Sequence, residues 1–494
     1  MKKILNIIII LFFVATLTCC MDEFNNPPIG LVTKDMVSSD PTSATIEASV
    51  RSAYGPLCTT LNAIVSGWRW DLGTVFRNDI LLEDIAANDM NKKWNPDGDQ
   101  AWMDELSHFT FTTENQAFNG IWAYDYEGIS RANLAIGFLT DDELIQSLGM
   151  STATRNQLLS EVYFLRAYYY FDLVNNFGGV PLVLKAPDSF EEALAASVRT
   201  TAEAVREQIN SDLAAAKAIA TNVKYPSTDK WRVSKGAIIS LQAKVALYAA
   251  NWIQVLSLIT ELDALGFYDL NPNYFDCFDA TKEFTDLEDI FVYDHRPQET
   301  PNVGNGIGAV AGWGFWAPTT DFVNAFEPND PRLLYTIDIP NKHASKLCGS
   351  TTLYSGDDNG PGNKIYIRYA DVLLWKAEAL NETGDYPGAI GIINRIRTRA
   401  RTSPTADGSV IPAGTLSDRP ASTDKTVIKN WLMSERRVEL GWESQRFNDL
   451  KRWGTAKDVL TALGVDFRDY HYLYPIPQLD IDKSGGTITQ NPGY

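Results

Sequence analysis

Histidine is scarce, at four residues in 494. His108, His295, His343 and His471 are scattered, so no HExxH or paired-histidine metal motif can be assembled. Beyond residue 20 cysteine is confined to Cys58, Cys277 and Cys348, an odd number with no CxxC and no histidine at ligand spacing. That excludes a zinc site and a disulfide framework; buried free thiols are the plainer reading, with one bridge left open. There is no Walker A loop and no GxSxG elbow, and nothing in the sequence calls for a cofactor or a metal. Basic residues are outnumbered, 43 Lys and Arg against 62 Asp and Glu, for a net charge of −19 at pH 7. Such a surface repels nucleic acid and heavily sulfated polymers, whose binding rests on basic side chains. A neutral ligand is the default.

Long apolar runs are also missing. The longest, Ile4 to Leu17, is interrupted by Asn6 and Thr16 and falls short of the about 20 residues a membrane span needs. Behind Lys2 and Lys3 it has the charged and apolar regions of a cleavable secretory signal. It closes on Leu17-Thr18-Cys19-Cys20, which reads as a lipoprotein signal with Cys20 as the acylated residue. Met21-Asp22-Glu23 follows at once, an acidic start that resembles the tag sending certain Gram-negative lipoproteins to the cell surface. Asn25-Asn26-Pro27-Pro28, Gly30 and nearby Ser and Thr have the composition of an extended tether.

What the rest of the chain has in quantity is helical periodicity. With 45% hydrophobic residues there is ample material for a large core. Leu158, Val162, Leu165 and Tyr169 form one stripe of a helix whose other faces carry Tyr163, Phe164, Tyr168, Tyr170 and Phe171, so burial nearly all round is expected. Asn175-Asn176, Gly178-Gly179 and Pro181 stop it. A partner runs from Thr200 to Ala220. Further pairs are Ser234 to Ala250 with Trp252 to Leu265, and Ile365 to Asn381 with Tyr386 to Ala400; a weaker early pair is Thr45 to Leu57 with Phe118 to Leu139. Thr383-Gly384-Asp385 and the small residues Ala370, Ala377 and Ala389 give the 365–400 pair the pattern of a tetratricopeptide unit, and such units must stack to bury their apolar faces. Two insertions, 66–113 and 267–364, are too long and too rich in Gly, Pro, Asn, Asp and aromatics to be ordinary connections.

Three blocks together resemble one family. Glu161-Val162-Tyr163-Phe164-Leu165-Arg166-Ala167-Tyr168-Tyr169-Tyr170-Phe171 with Phe177-Gly178-Gly179-Val180-Pro181, then Tyr366-Ile367-Arg368-Tyr369-Ala370-Asp371, then Glu435-Arg436-Arg437-Val438-Glu439-Leu440 with Arg446-Phe447-Asn448-Asp449-Leu450-Lys451-Arg452-Trp453, are similar to the signatures of SusD/RagB-type nutrient-binding lipoproteins. The ending, Tyr474-Pro475-Ile476-Pro477 and Gln490-Asn491-Pro492-Gly493-Tyr494, fits as well. The resemblance implies a mainly α fold of four tetratricopeptide-like helix pairs, an α-superhelical scaffold carrying a loop-rich lobe. It implies an outer-membrane lipoprotein facing the cell exterior that caps a SusC-like TonB-dependent β-barrel and captures oligosaccharides or, in some members, peptides. The expected layout is a signal over 1–19, a tether over 20–44, an N-terminal part over 45–264 and a C-terminal part over 265–494.

Binding a neutral sugar needs flat apolar faces to stack on C–H groups and polar groups for the hydroxyls. The insertions supply candidates: Trp68, Trp70, Trp94, Asn95 and Trp102 in the first, Trp313, Phe315 and Trp316 in the second. Each Trp has the competing role of a core anchor, although Gly312 and Gly314 favour exposure of the second group. The charged residues of 435–452 read as a structural ion-pair network more readily than as the paired carboxylates of a glycosidase. A non-catalytic glycan receptor is the leading expectation; a peptide receptor of the same family, a surface glycoside hydrolase and a purely structural adaptor are the alternatives.

Overall fold

The computed structural model describes residues 41–94, 97–187, 189–225, 229–283, 285–296, 304–352 and 360–494. The signal, Cys20, most of the tether and Asn95 lie outside the described residues. Eight helices build the scaffold: α1 Ser43–Tyr54, α2 Gln116–Thr140, α3 Thr152–Phe177, α4 Ala202–Ile219, α5 Lys235–Tyr248, α6 Trp252–Asp263, α7 Tyr369–Thr383 and α8 Tyr386–Thr402. They pack as the pairs α1 with α2, α3 with α4, α5 with α6 and α7 with α8, and successive pairs abut through α2 on α3, α4 on α5 and α6 on α7. A ninth helix, α9 Lys425–Glu439, covers α7 and α8.

The local chemistry explains the boundaries. Ser151 caps α3 by accepting from the Thr154 N–H, and the helix ends at Gly178 with a φ of 75°. Gly384, at φ 91°, makes the turn between α7 and α8, and the Asp385 side chain caps the next helix on the Gly388 N–H. The all-round burial expected of α3 includes polar groups that are fully paired: Arg166 donates to both Asp212 oxygens at 2.8 and 2.7 Å, and Glu161 accepts from Tyr54 and Arg232. Where α2 crosses α3, a Cβ on Gly128 would lie 2.2 Å from the Tyr169 ring, so only glycine permits the approach.

Two readings of the sequence are corrected. Ile365 to Arg368 is a strand, not the start of a helix: alternating Ile, Tyr and Ile suit a buried ladder, and β4, Lys364–Arg368, pairs antiparallel with β2, Asp289–Tyr293, before α7 begins at Tyr369. The first helix ends at Tyr54, because Pro56 diverts the chain into a single 3₁₀ turn over Gly55–Leu57. The two insertions join each other. Within the first, β1 (Met90–Asn91) pairs antiparallel with β3 (Ala317–Pro318) of the second, and Thr319 bonds through its N–H to the Asp89 carbonyl and through its hydroxyl to the Asn88 carbonyl. They form one lobe on the scaffold.

Candidate functional site

In the first insertion Gly67 and Trp68 both take positive φ, 92° and 56°. The strained Trp68 is held by donating its N–H to Asn62 Oδ1 at 2.9 Å. A 3₁₀ turn over Trp70–Leu72 follows and ends at Gly73, where a Cβ would meet the Gln116 carbonyl at 2.0 Å. The tight turn brings Trp68 and Trp70 together, with centroids 6.5 Å apart and planes 25° apart. In the second insertion the short helix Gly306–Gly312 stops and Gly314 turns the chain at φ 83°, which sets Trp313 6.0 Å from Trp68 and Phe315 5.9 Å from Trp70, the latter pair within 14° of parallel. Four aromatic rings from two distant segments thus form one cluster. Trp68 is 46% exposed and Trp313 37%, so these two present the open faces.

Beneath them Phe76 meets Trp70 and Trp316 edge-on, at 6.2 and 5.9 Å. Trp94 is half-buried beside Gly314, and the Lys342 ammonium stands 5.8 Å from its ring centroid. The Lys93 ammonium lies 4.6 Å from the centre of Phe315 and bonds Asp97 at 2.6 Å. Hydrogen bonds from Lys93 and Lys92 push the Asp97 carboxyl down to about 2.

Three candidates sit below the surface, contrary to the ligand-facing role read from the sequence. Trp316 is 1% exposed because, past Gly314, the chain enters β3 and turns this indole inward onto Phe76. Phe315 is 7% exposed, covered by Trp70 and Lys93. Trp102 is 8% exposed on the helix Trp102–His108, where its Nε1 donates to Gln100 and its carbonyl accepts from Asn115; it pins the first insertion and stands apart from the cluster. Lys93 and Phe76 carried no signal beyond their nearness to Trp94 and Trp70 in the sequence, and Lys342 carried none.

The charged block is buried and paired. Glu439 accepts from Arg368 at 2.9 Å, from Arg332 at 3.0 Å and from Arg399; burial alone would raise its carboxyl, and the three guanidiniums hold it well below its ordinary value instead. Arg436 joins Asp371 and Asp449, and Arg452 joins Glu378. A single π-helical turn, Leu81–Ile85, carries Glu83 and Asp84 into this region. They accept from the Asn448 and Ser444 N–H groups, both at 2.9 Å, and burial pushes Asp84 up to about 8, with Asp89 adding to it. Cys58, Cys277 and Cys348 are buried free thiols. Among the described residues no cluster of three or more His, Cys, Asp or Glu could hold a metal ion, and Asp97 and Asp99 are engaged by Lys93.

Fold and cluster define a helix-pair scaffold bearing an aromatic-faced lobe. Residues 335–467 match the family model described as "SusD family", and residues 63–247 match the one described as "Starch-binding associating with outer membrane". SusD-like protein P2 of Formosa agariphila is 26% identical with 97% of each chain covered, and SusD-like protein P38 of the same organism is 29% identical over 72% of this chain and 76% of the relative. Among solved structures, surface glycan-binding protein A from Bacteroides fluxus superposes with a TM-score of 0.74 at 24% identity, covering 92% of this chain and all of the other. A laminarin-binding SusD-like protein gives 0.71 at 23%, covering 92% and 100%. Surface glycan-binding protein A from Bacteroides thetaiotaomicron, in complex with laminarihexaose, gives 0.70 at 21%, covering 91% and 99%. Two family models, the curated relatives and the solved structures together support the SusD/RagB-like family for this chain.

Proposed function

We propose that this chain is a non-catalytic glycan receptor of the outer membrane, anchored through a lipid on Cys20, that captures an oligosaccharide and passes it to a SusC-like TonB-dependent barrel. The observation that carries the reading is the convergence of Trp68, Trp70, Trp313 and Phe315 from two insertions, with Trp68 and Trp313 open to solvent. Indole faces at that spacing suit stacking on pyranose C–H surfaces, and Lys93 and Asp97 at the margin supply donors and acceptors for hydroxyls. Relatives of the same fold whose names record laminarin and laminarihexaose support a glycan over other ligands. Binding without turnover agrees with the charged block, whose carboxylates Glu435, Glu439 and Asp449 are buried against arginines and not paired across a cleft.

Tryptophan fluorescence titration with a panel of oligosaccharides, laminarihexaose among them, and with peptides tests the reading. A glycan response weakened at least about tenfold by Trp68→Ala and by Trp313→Ala, as for an aromatic anchor, is the expected result. A response to peptides alone would transfer the chain to peptide capture, and cleavage of a polysaccharide on incubation would make it an enzyme.

A further inference from the structure

The aromatic cluster exists only while two insertions separated by more than 150 residues of chain hold one register, and one side chain of the scaffold reaches both. Arg437, in the last turn of α9, donates through Nε and Nη2 to Asp89 Oδ1 at 3.0 and 2.6 Å, and through Nη2 to Asp321 Oδ2 at 2.6 Å. Asp89 immediately precedes β1 and Asp321 closely follows β3. The guanidinium therefore spans the ladder between the insertions at its root. Its plane also lies 5.9 Å from the Phe322 ring, which stacks on the buried Trp442.

The path from this joint to the exposed rings is short and continuous. Thr319 ties the second insertion to Asn88 and Asp89 of the first. One residue before β3, Trp316 packs on Phe76, Phe76 on Trp70, and Trp70 on Phe315 and Trp68. Asp89 is wholly buried, and among the described residues its Oδ2 has no hydrogen-bond partner, with Arg446 Nε 3.9 Å away. Arg437 is thus the main neutralising group for a carboxylate at the entrance to β1, and a buried carboxylate deprived of its partner draws water or moves toward it.

We propose that Arg437 is a positioning residue for the aromatic platform: by bonding Asp89 and Asp321 together it sets the register in which Trp68 and Trp70 meet Trp313 and Phe315. The proposal rests on the platform reading above, yet its test needs no ligand. Indoles as close as Trp68, Trp70 and Trp313 couple their strong short-wavelength transitions, so they add a paired positive and negative signal to the far-ultraviolet circular dichroism, isolated from the helical background as the difference between the parent and Trp313→Phe. In full-length Arg437→Met this difference is expected to fall by at least half while the helical background persists. Arg437→Lys, one ammonium that cannot serve two carboxylates in the fork geometry, is expected to fall between parent and Met. If Arg437→Met does not fold, Asp321→Asn provides the same reading, because that side chain is 43% exposed and only half of the bridge is removed. An unchanged difference spectrum in whichever of these variants folds overturns the proposal. A platform that loses its coupled signal but never responds to laminarihexaose would leave Arg437 in its role and count against the glycan reading alone.

Discussion

Where α2 crosses α3, the Tyr169 ring lies against the bare Cα of Gly128 inside the main buried apolar cluster, with the buried pair of Arg77 and Asp125 close by. Where the lobe meets the scaffold, the contact is made by Glu83, Asp84 and Asp89 reaching backbone N–H groups and a guanidinium of the C-terminal block. The first kind of joint is short-range in character and tolerant of charge at its margins, because its stability scales with apolar area. The second is directional and intolerant of a missing partner, because a buried charge left alone is costly. The molecule thus combines a scaffold in which buried ion pairs such as Arg166 with Asp212 sit inside extensive apolar packing with a lobe joint at which charged groups reach backbone donors and a guanidinium beside a smaller aromatic contact of Phe109 on Phe447.

Four measurements sharpen or break that contrast. The largest effect is expected from Glu439→Ala, which leaves Arg332, Arg368 and Arg399 without their shared acceptor; urea unfolding should show a loss of about 3–5 kcal/mol, and a loss below about 1 kcal/mol would mean that the network is ornamental. Gly128→Ala forces a methyl into the Tyr169 ring and should cost the scaffold about 1–3 kcal/mol by overpacking, read in the same way. Asp84 titrates at about 8 in the fold against about 3.9 unfolded. The native state therefore binds the extra proton between those values, and stability falls as pH rises from about 4 to 8. Asp84→Asn should flatten that decline, stabilising the protein at pH 8.5 while changing little at pH 4; parallel thermal melts across pH decide it. Trp313→Ala should leave stability within about 0.5 kcal/mol, as befits an open surface ring, while removing the binding response. A large loss of stability would make Trp313 part of the core.

The scaffold was legible because its signals are local. The stripe of Leu158, Val162, Leu165 and Tyr169, the stop at Gly178 and the Gly384 turn each act within one or two helical turns, and α3, α7 and α8 occur where those signals put them, apart from the strand at 364–368. The platform was legible only as a set of aromatic residues in two insertions. Which rings face water depends on Gly314 and on the β1–β3 ladder, a pairing across more than 200 residues that no periodicity announces. Hence Trp316 and Trp102 stood among the candidates beside Trp313 and Trp68, although Ala317-Pro318 already set Trp316 apart, and both are buried. The charged block was readable as a network, but its hub on Glu439 draws on Arg332, Arg368 and Arg399 from three other segments.

The joint between the π-helical turn and the C-terminal block has a further consequence, for the order in which the chain folds. Leu82 accepts from the Tyr474 hydroxyl at 2.6 Å, Thr113 from the Gln478 N–H at 3.0 Å, and Glu83 from Asn448. The first insertion thus takes its partners from residues more than 350 positions later. The pairs α3 with α4, α5 with α6 and α7 with α8 can form as they emerge, each from neighbouring sequence, whereas closing loops of that span is an entropic cost met only once the late segments arrive. Until then the early aromatic residues of the lobe stay in an unfinished state, and the C-terminal block acts as the latch that completes the first insertion.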